Sequence, residues 1–331
     1  MCIRDRIGTA ASWNPKNAFN MAKVSAYEIK ACGIPWNFSP VIDLGQDPRF
    51  PRQFETFGED PYLVTQMGNQ MIIGYQGEKN EINVSEKLAV SIKHFLGYQA
   101  TISGKDRTPS YIPEHVLREL HLAPFKSAID LGAKTIMVNS GIINGIPTHS
   151  DAYLLTDLLR NELGFEGVVL TDWEDINKLH DRDKVASSRK EAIEIAIKAG
   201  VDMSMIPYDY EEFCDNLFEL VEEGTISLSR IDQSVRRILK LKFELNLFEN
   251  PYNDFKDYPD FNSKEFEKLA YDSAAESITL LKNNNSILPI KPGKRILVTG
   301  PNANSMRTLN GAWTYSWQGE KTDKFAKKYN T

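Results

Sequence analysis
Gly167-Val168-Val169-Leu170-Thr171-Asp172-Trp173 is a short run suited to a buried strand, and it ends on a carboxylate and an indole. The strand follows the helical segment Asp151–Leu163, which has Gly164 behind it. A parallel strand covered on both faces reads as an unbroken apolar run, and in α/β folds the carboxyl ends of such strands carry the chemistry. Asp172 sits at such an end. The plainer alternative is that Asp172 caps the next helix, as a short acidic side chain does.

Outward from this stretch the chain alternates helix and strand. Towards the N-terminus, Asn17–Ala31 carries apolar residues at helical spacing with Gly33 as a stop, and Trp36–Ile42 reads as a strand ending at Asp43. A Pro/Arg-rich loop, Asp47-Pro48-Arg49-Phe50-Pro51-Arg52, precedes a helix that starts near Asp60-Pro61. Leu88–Phe95 is a second strand, followed by a long polar loop through Gly104-Lys105-Asp106-Arg107. Pro113–Leu131 is expected to be helical with a kink at Pro124, Thr135–Val138 is the next strand, and Ser150 is the candidate N-cap of the helix before Gly164. Ser188-Arg189-Lys190-Glu191 is a capping-box pattern opening a helix to Gly200. A short strand, Val201–Met205, and helices near Asp209–Glu222 and Ser229–Leu245 follow.

Helices alternating with strands define an α/β fold with a parallel sheet. With no Gly-rich phosphate loop after the first strand, a (β/α) TIM-like barrel is favoured over an open doubly wound sheet. About five strands are legible where such a barrel has eight, so the barrel is expected to be incomplete at its N-terminus. Residues 7–248 are assigned to the barrel, 249–262 to a Pro/Asp/Asn-rich linker and 263–331 to the start of an α/β sandwich domain, with a helix over Ser263–Leu281 and a strand at Ile296–Thr299. Met1–Arg6 lacks periodicity and reads as foreign to the fold.

Composition excludes more than it assigns. The 331 residues are 41% hydrophobic and 25% charged, and the net charge of −6 offers no footprint for nucleic acid or an anionic membrane surface. Cys2, Cys32 and Cys214 are too few and too far apart for a disulfide framework or a zinc site, and neither metal nor cofactor is expected. No apolar run reaches membrane-spanning length.

Asp43, Lys93-His94, Asn139-Ser140, Asp172 and Met205 lie at predicted strand ends, which in a parallel barrel converge on one mouth. Singly each has a structural reading: Lys93 as a solvated charge, His94 as a satisfied interior histidine, Arg52 as a partner of Glu55 or Glu59. Together they form a cleft suited to a neutral, hydroxyl-rich ligand, because charged groups make strong hydrogen bonds to hydroxyls once water is excluded. Trp173 adds a flat apolar face.

Many segments in order resemble family 3 of the glycoside hydrolases, the β-glucosidase family. They include Phe38-Ser39-Pro40-Val41-Ile42-Asp43-Leu44, Phe57-Gly58-Glu59-Asp60-Pro61-Tyr62, Ile92-Lys93-His94-Phe95-Leu96-Gly97-Tyr98, Asn144-Gly145-Ile146-Pro147 and Gly164–Trp173. The resemblance implies a retaining, exo-acting hydrolase that removes terminal sugars from β-linked oligosaccharides or glycosides. By that resemblance Asp172 is the nucleophile, Arg52, Lys93 and His94 grip the terminal sugar, and Trp173 borders the entrance. Ser140 stands where many members place a tyrosine, which leaves the sugar preference open. The acid/base glutamate of the family usually comes from the second domain, beyond residue 331, so the chain alone is expected to be nearly inactive. A β-xylosidase or N-acetylhexosaminidase on the same scaffold, and a non-catalytic sugar-binding barrel, are the alternatives. Periplasmic or secreted relatives make such a location the expectation for the full-length protein, with any signal lying before residue 1.

Overall fold
The computed structural model describes residues 6–322. Its centre is a five-stranded, all-parallel sheet: β1 (Trp36–Asn37), β2 (Ala89–Phe95), β3 (Thr135–Val138), β6 (Val168–Trp173) and β7 (Met203–Met205), adjacent in that order. The other two strands, β4 (Ile142–Ile143) and β5 (Ile146–Pro147), form a small hairpin in the loop after β3. The sheet is the arc of an incomplete (β/α) barrel, as its alternation with helices predicts. The expected first strand is cut short. It pairs only at Trp36 and Asn37, with one further bridge from Val41 to Lys93, because Pro40 between them has no N–H to give the ladder.

Alternation of side chains across the strands makes two packing layers. Val90, Ile92, Ile136, Val138 and Val169 point into the main core, shared with helices α2 (Pro15–Ala31), α3 (Pro61–Gln76), α5 (Leu122–Asp130) and α7 (Arg189–Ala199). The two helices expected after β7 form as α8 (Tyr210–Glu222) and α9 (Leu228–Glu244). Ala89 and Val168 join a second cluster with Leu241 and Leu245 of α9 and its C-terminal turn, flanked by Trp36 and Met203. Two glycines allow this closeness. A Cβ on Gly167 would stand 2.2 Å from the Lys134 carbonyl oxygen where β3 and β6 begin, and one on Gly74 would stand 2.7 Å from the Phe19 oxygen where α2 crosses α3.

Helix starts follow the sequence. Asn14 accepts from Lys16 N before Pro15, and Asp60 accepts from Leu63 N before Pro61. Ser188 caps α7 through Glu191 N, but Glu191 reaches back to the N–H of Ser187 rather than Ser188. Ser150 is not a cap: its hydroxyl donates to Pro147 O, and Asp151 accepts from Leu154 N instead. The helix that follows, Tyr153–Glu162, has π-type hydrogen bonding. The irregularity expected at Pro124 lies upstream, where the single turn α4 (Glu114–Val116) runs into a π turn over Leu117–His121. A proline has no N–H for the i−4 carbonyl, and the wider turn absorbs that loss.

At the N-terminal ends of the strands, Asp202 is a buried knot. It accepts from Arg160 Nη2 at 2.6 Å, Val169 N at 3.0 Å, Ser234 Oγ at 2.8 Å and Arg237 Nη1 at 2.8 Å.

Arg6, expected to be foreign, is buried in helix α1 (Arg6–Ala11) and donates to Ser39 Oγ at 2.5 Å. Met1–Asp5 lie outside the described residues. The segment expected to be a linker packs in part on the fold: Tyr258 is buried against Tyr27, and the two rings meet edge-on at 5.2 Å. Helix α10 covers Lys264–Glu276, stopping short of Leu281. The strand expected at Ile296–Thr299 does not form; Leu297 is 86% exposed and no neighbouring strand pairs with it among the described residues. A strand is completed only by a partner that takes its backbone groups. No helix among the described residues is long and apolar enough to cross a membrane.

Candidate active site
The sheet register slips at two places, and both are at the mouth. On β2, Lys93 and Phe95 face successive residues of β3, so His94 is the extra residue; on β6, the slip falls between Leu170 and Trp173, around Asp172. Bulges re-aim side chains and occur beside active sites. Here they bring the strand-end carboxylate and the Lys93-His94 pair together.

Asp172 does not cap a helix. Its Oδ1 accepts from Trp173 N at 2.6 Å, and the next helix, α6 (Asp175–Asp181), starts after a left-handed Glu174 with no side-chain cap. Asp172 Oδ2 is buried and makes no hydrogen bond among the described residues. It stands 4.0 Å from His94 Nε2 and 3.7 Å from Arg107 Nη2. His94 Nε2 is likewise buried and unpartnered. Buried polar atoms with open hydrogen-bonding positions are where a polar ligand binds most favourably.

His94 is held from the other side. Its Nδ1 lies 2.8 Å from Asp43 Oδ2, and its backbone N–H donates to both Asp43 oxygens at 3.1 Å. Burial drives both partners towards their neutral forms: it pushes the Asp43 carboxyl up to about 8 and His94 well below its ordinary value. A neutral imidazole therefore presents Nε2 to the mouth.

Arg52 is buried. It forms two parallel bonds to Glu55, Nε to Oε1 and Nη2 to Oε2, both at 2.8 Å, and Nη1 donates to Tyr98 Oη at 3.1 Å. Burial works to raise the Glu55 carboxyl, but the Arg52 bonds and charge, helped by Lys93 and Trp313, hold it down at about 2. Desolvation, with Arg52 adding repulsion, lowers Lys93 to about 8. Trp313 closes this corner: Nε1 donates to Glu55 Oε1 at 2.9 Å, and its ring lies 5.8 Å from the Arg52 guanidinium and 5.9 Å from Lys93 Nζ.

Trp173 is 43% exposed and meets Tyr208 edge-on at 6.1 Å. Ser140 is different: it is fully buried and its hydroxyl donates to Asp175 Oδ1 at 2.8 Å, leaving no free donor for a ligand. Sequence reasoning missed Arg107, Tyr98, Asp106 and Trp313. Tyr98 Oη donates to Asp106, which anchors the loop carrying Arg107. The only local signal was a charged Lys-Asp-Arg run in a loop after a strand, and Trp313 gave none because it arrives from far along the chain. Among the described residues, no group of three His, Cys, Asp or Glu is placed to hold a metal ion.

A parallel β/α sheet whose strand ends gather a buried carboxylate, an imidazole and several cations is the arrangement found at the mouth of an α/β barrel, where polar ligands bind. Residues 4–241 match the description "Glycosyl hydrolase family 3 N terminal domain", and the chain belongs to glycosyl hydrolase family 3. The lysosomal beta glucosidase of Dictyostelium discoideum is 46% identical over 324 residues, 96% of this chain and 39% of its own length. The periplasmic beta-glucosidase of Salmonella typhimurium is 34% identical over 314 residues, 93% of this chain and 40% of its own length. The crystal structure of an exo-1,3/1,4-beta-glucanase from a Pseudoalteromonas species superposes with a TM-score of 0.89 at 35% identity, covering 97% of this chain and 40% of that one. The chain thus spans roughly two fifths of the length of these relatives.

Proposed function
We propose that this chain carries the nucleophile and the sugar-gripping residues of a retaining, exo-acting β-glucosidase-like hydrolase that removes terminal β-linked sugars from oligosaccharides or glycosides. The observation that carries the reading is Asp172: a strand-end carboxylate with one oxygen held by its own backbone and the other buried, unbonded and flanked by Arg107 and His94. In this reaction the free oxygen attacks the anomeric carbon and forms a glycosyl ester, while a second carboxyl protonates the leaving oxygen; water then cleaves the ester. Arg52, Lys93 and His94 hold sugar hydroxyls, and Trp173 offers its face at the entrance. Asp43 is not the proton donor, although burial raises it, because it is fully buried and bonded to His94. By the resemblance the donor comes from the family's second domain, and its help on substrates with poor leaving groups is worth about 10²–10⁴-fold. A periplasmic or secreted location fits the periplasmic relative.

The test is mass spectrometry of the protein, expressed from its complete gene, after incubation with a 2-deoxy-2-fluoro-β-glucoside bearing a good leaving group. An ester mapped to Asp172 is the expected result. A label on another carboxylate overturns the nucleophile assignment, and no label on a folded protein overturns the glucosyl reading. A parallel panel of nitrophenyl glucoside, xyloside and N-acetylglucosaminide ranks the sugars, and glucose binding without turnover of any of them would identify a binding-only barrel.

A further inference from the structure
Arg107 lies in the loop between β2 and α4. Its backbone is left-handed, with φ at +58°, a region that non-glycine residues avoid unless their surroundings hold them there. The surroundings do hold it. Tyr98 Oη, itself bonded to Arg52, donates to Asp106. Thr108 Oγ1 donates to Lys105 O at 2.8 Å, and Ser110 N donates to Ile142 O at 2.9 Å. The guanidinium, 26% exposed, has Asp172 as its one ion-pair partner among the described residues; at 3.7 Å the contact is electrostatic rather than a hydrogen bond. Its Nε is buried and has no hydrogen-bond partner among the described residues. A strained residue on an anchored loop, directed at one carboxylate, points to a role at that carboxylate.

Asp172 is faced by several other groups: His94 from β2 at 4.0 Å, and at longer range Arg52, Lys93, Tyr98 and His149. Arg52 is neutralised by Glu55. Burial keeps His94 and His149 on the neutral side. Lys93 shares its surroundings with Arg52 and Glu55. Among the described residues Arg107 is the nearest cation to Asp172, and a guanidinium stays charged at any working pH.

We propose that Arg107 is a positioning residue for the reaction assigned to Asp172: its charge balances the negative charge that carboxylate regains when the glycosyl ester breaks. The inference rests on Asp172 being the nucleophile. In the first step a carboxylate oxygen bonds to the anomeric carbon as the bond to the leaving oxygen breaks, and that oxygen takes a proton from the acid. In the second step water attacks the anomeric carbon, the ester C–O electrons return to Asp172, and a water proton goes back to the acid's carboxylate. A cation beside Oδ2 favours the second step most, because the charge on Asp172 increases there.

The experiment compares the full-length protein with R107Q and R107K on 2,4-dinitrophenyl β-glucoside, whose leaving group needs little acid help. For R107Q, kcat is expected to fall about tenfold, with KM falling alongside because the second step then limits turnover. Glycosyl-enzyme is also expected to accumulate on Asp172 in the mass spectrum, and R107K is expected to return kcat towards wild type. An unmoved kcat in R107Q, or a change confined to KM, overturns the proposal. If R107Q is unfolded by circular dichroism, R107H reads the same quantity: its charge is lost as pH rises, so kcat must gain a limb that falls with rising pH, and a kcat profile identical to wild type overturns the proposal. Fluoroglucoside labelling of the wild type separates the two ideas. A label on Asp172 with an unmoved kcat sinks only the role of Arg107, whereas a label elsewhere sinks the nucleophile assignment itself.

Discussion
Replacing Glu55 with alanine tests how the Arg52 corner of the mouth is held. Glu55 is 2% exposed, makes two 2.8 Å bonds to a buried Arg52 and accepts from Trp313. Its carboxyl lies at about 2 rather than 4.5, and at 1.36 kcal/mol per pH unit that depression is worth about 3 kcal/mol of folding free energy. Removing one partner of a buried pair costs about 3–5 kcal/mol by a separate route, because the other charge stays buried and alone. The two agree, and the loss is a large share of a typical net stability of about 5–15 kcal/mol. The pH dependence has a definite sign. Because the folded-state value is depressed, the stabilisation is complete above the ordinary value of 4.5 and is lost as pH falls through about 2. Glu55→Ala is therefore expected to unfold at lower urea concentration at pH 7, with a deficit of about 3 kcal/mol that shrinks to roughly half at pH 3. A deficit below about 1 kcal/mol at pH 7, or one unchanged at pH 3, would show that the pair is not buried and coupled in this way, since exposed pairs behave like that.

Two further outcomes follow from the geometry. Lys93 is held down to about 8, so it is a cation below that pH and neutral above it. kcat/KM for a β-glucoside is expected to fall as pH rises through that value, and Lys93→Met should show a lower plateau without that limb; an unaltered alkaline limb in the variant would remove Lys93 from the sugar-binding set. Asp202 lies at the opposite ends of the strands, where its loss leaves Arg160 and Arg237 without their carboxylate. Asp202→Ala is expected to lose about 3–5 kcal/mol in thermal or urea unfolding, with KM of the surviving folded protein unchanged; a raised KM would mean that the two ends of the sheet are coupled.

Elements whose cause is local were legible in advance. Helix α3 is announced by Asp60-Pro61 and α7 by Ser188-Arg189-Lys190-Glu191, and both form because a cap and an apolar face need only neighbours within a turn or two. The strand Val168–Trp173 was legible because burial on both faces leaves an apolar run, and its position made Asp172 a candidate. The resemblance to the family added roles for Arg52, Lys93 and His94 that composition and spacing leave open. Local signals failed where a partner had to be supplied from afar. Ile296–Thr299 has strand composition but no strand beside it, and Ser140 looked like a site residue until Asp175 claimed its hydroxyl.

Periodicity, capping and chain direction are properties of short stretches, so the order of residues was enough to set the alternation of helix and strand, the parallel sheet and the residues at its carboxyl ends. Which charges meet was settled by tertiary packing. Arg107 comes to within 3.7 Å of Asp172 from 65 positions earlier, and Trp313 donates to Glu55 across a separation of 258. Glu55, not Glu59, holds Arg52. Such pairings depend on packing, bulges and loop anchoring summed over the whole fold, and electrostatic energy depends steeply on distances that no local pattern encodes.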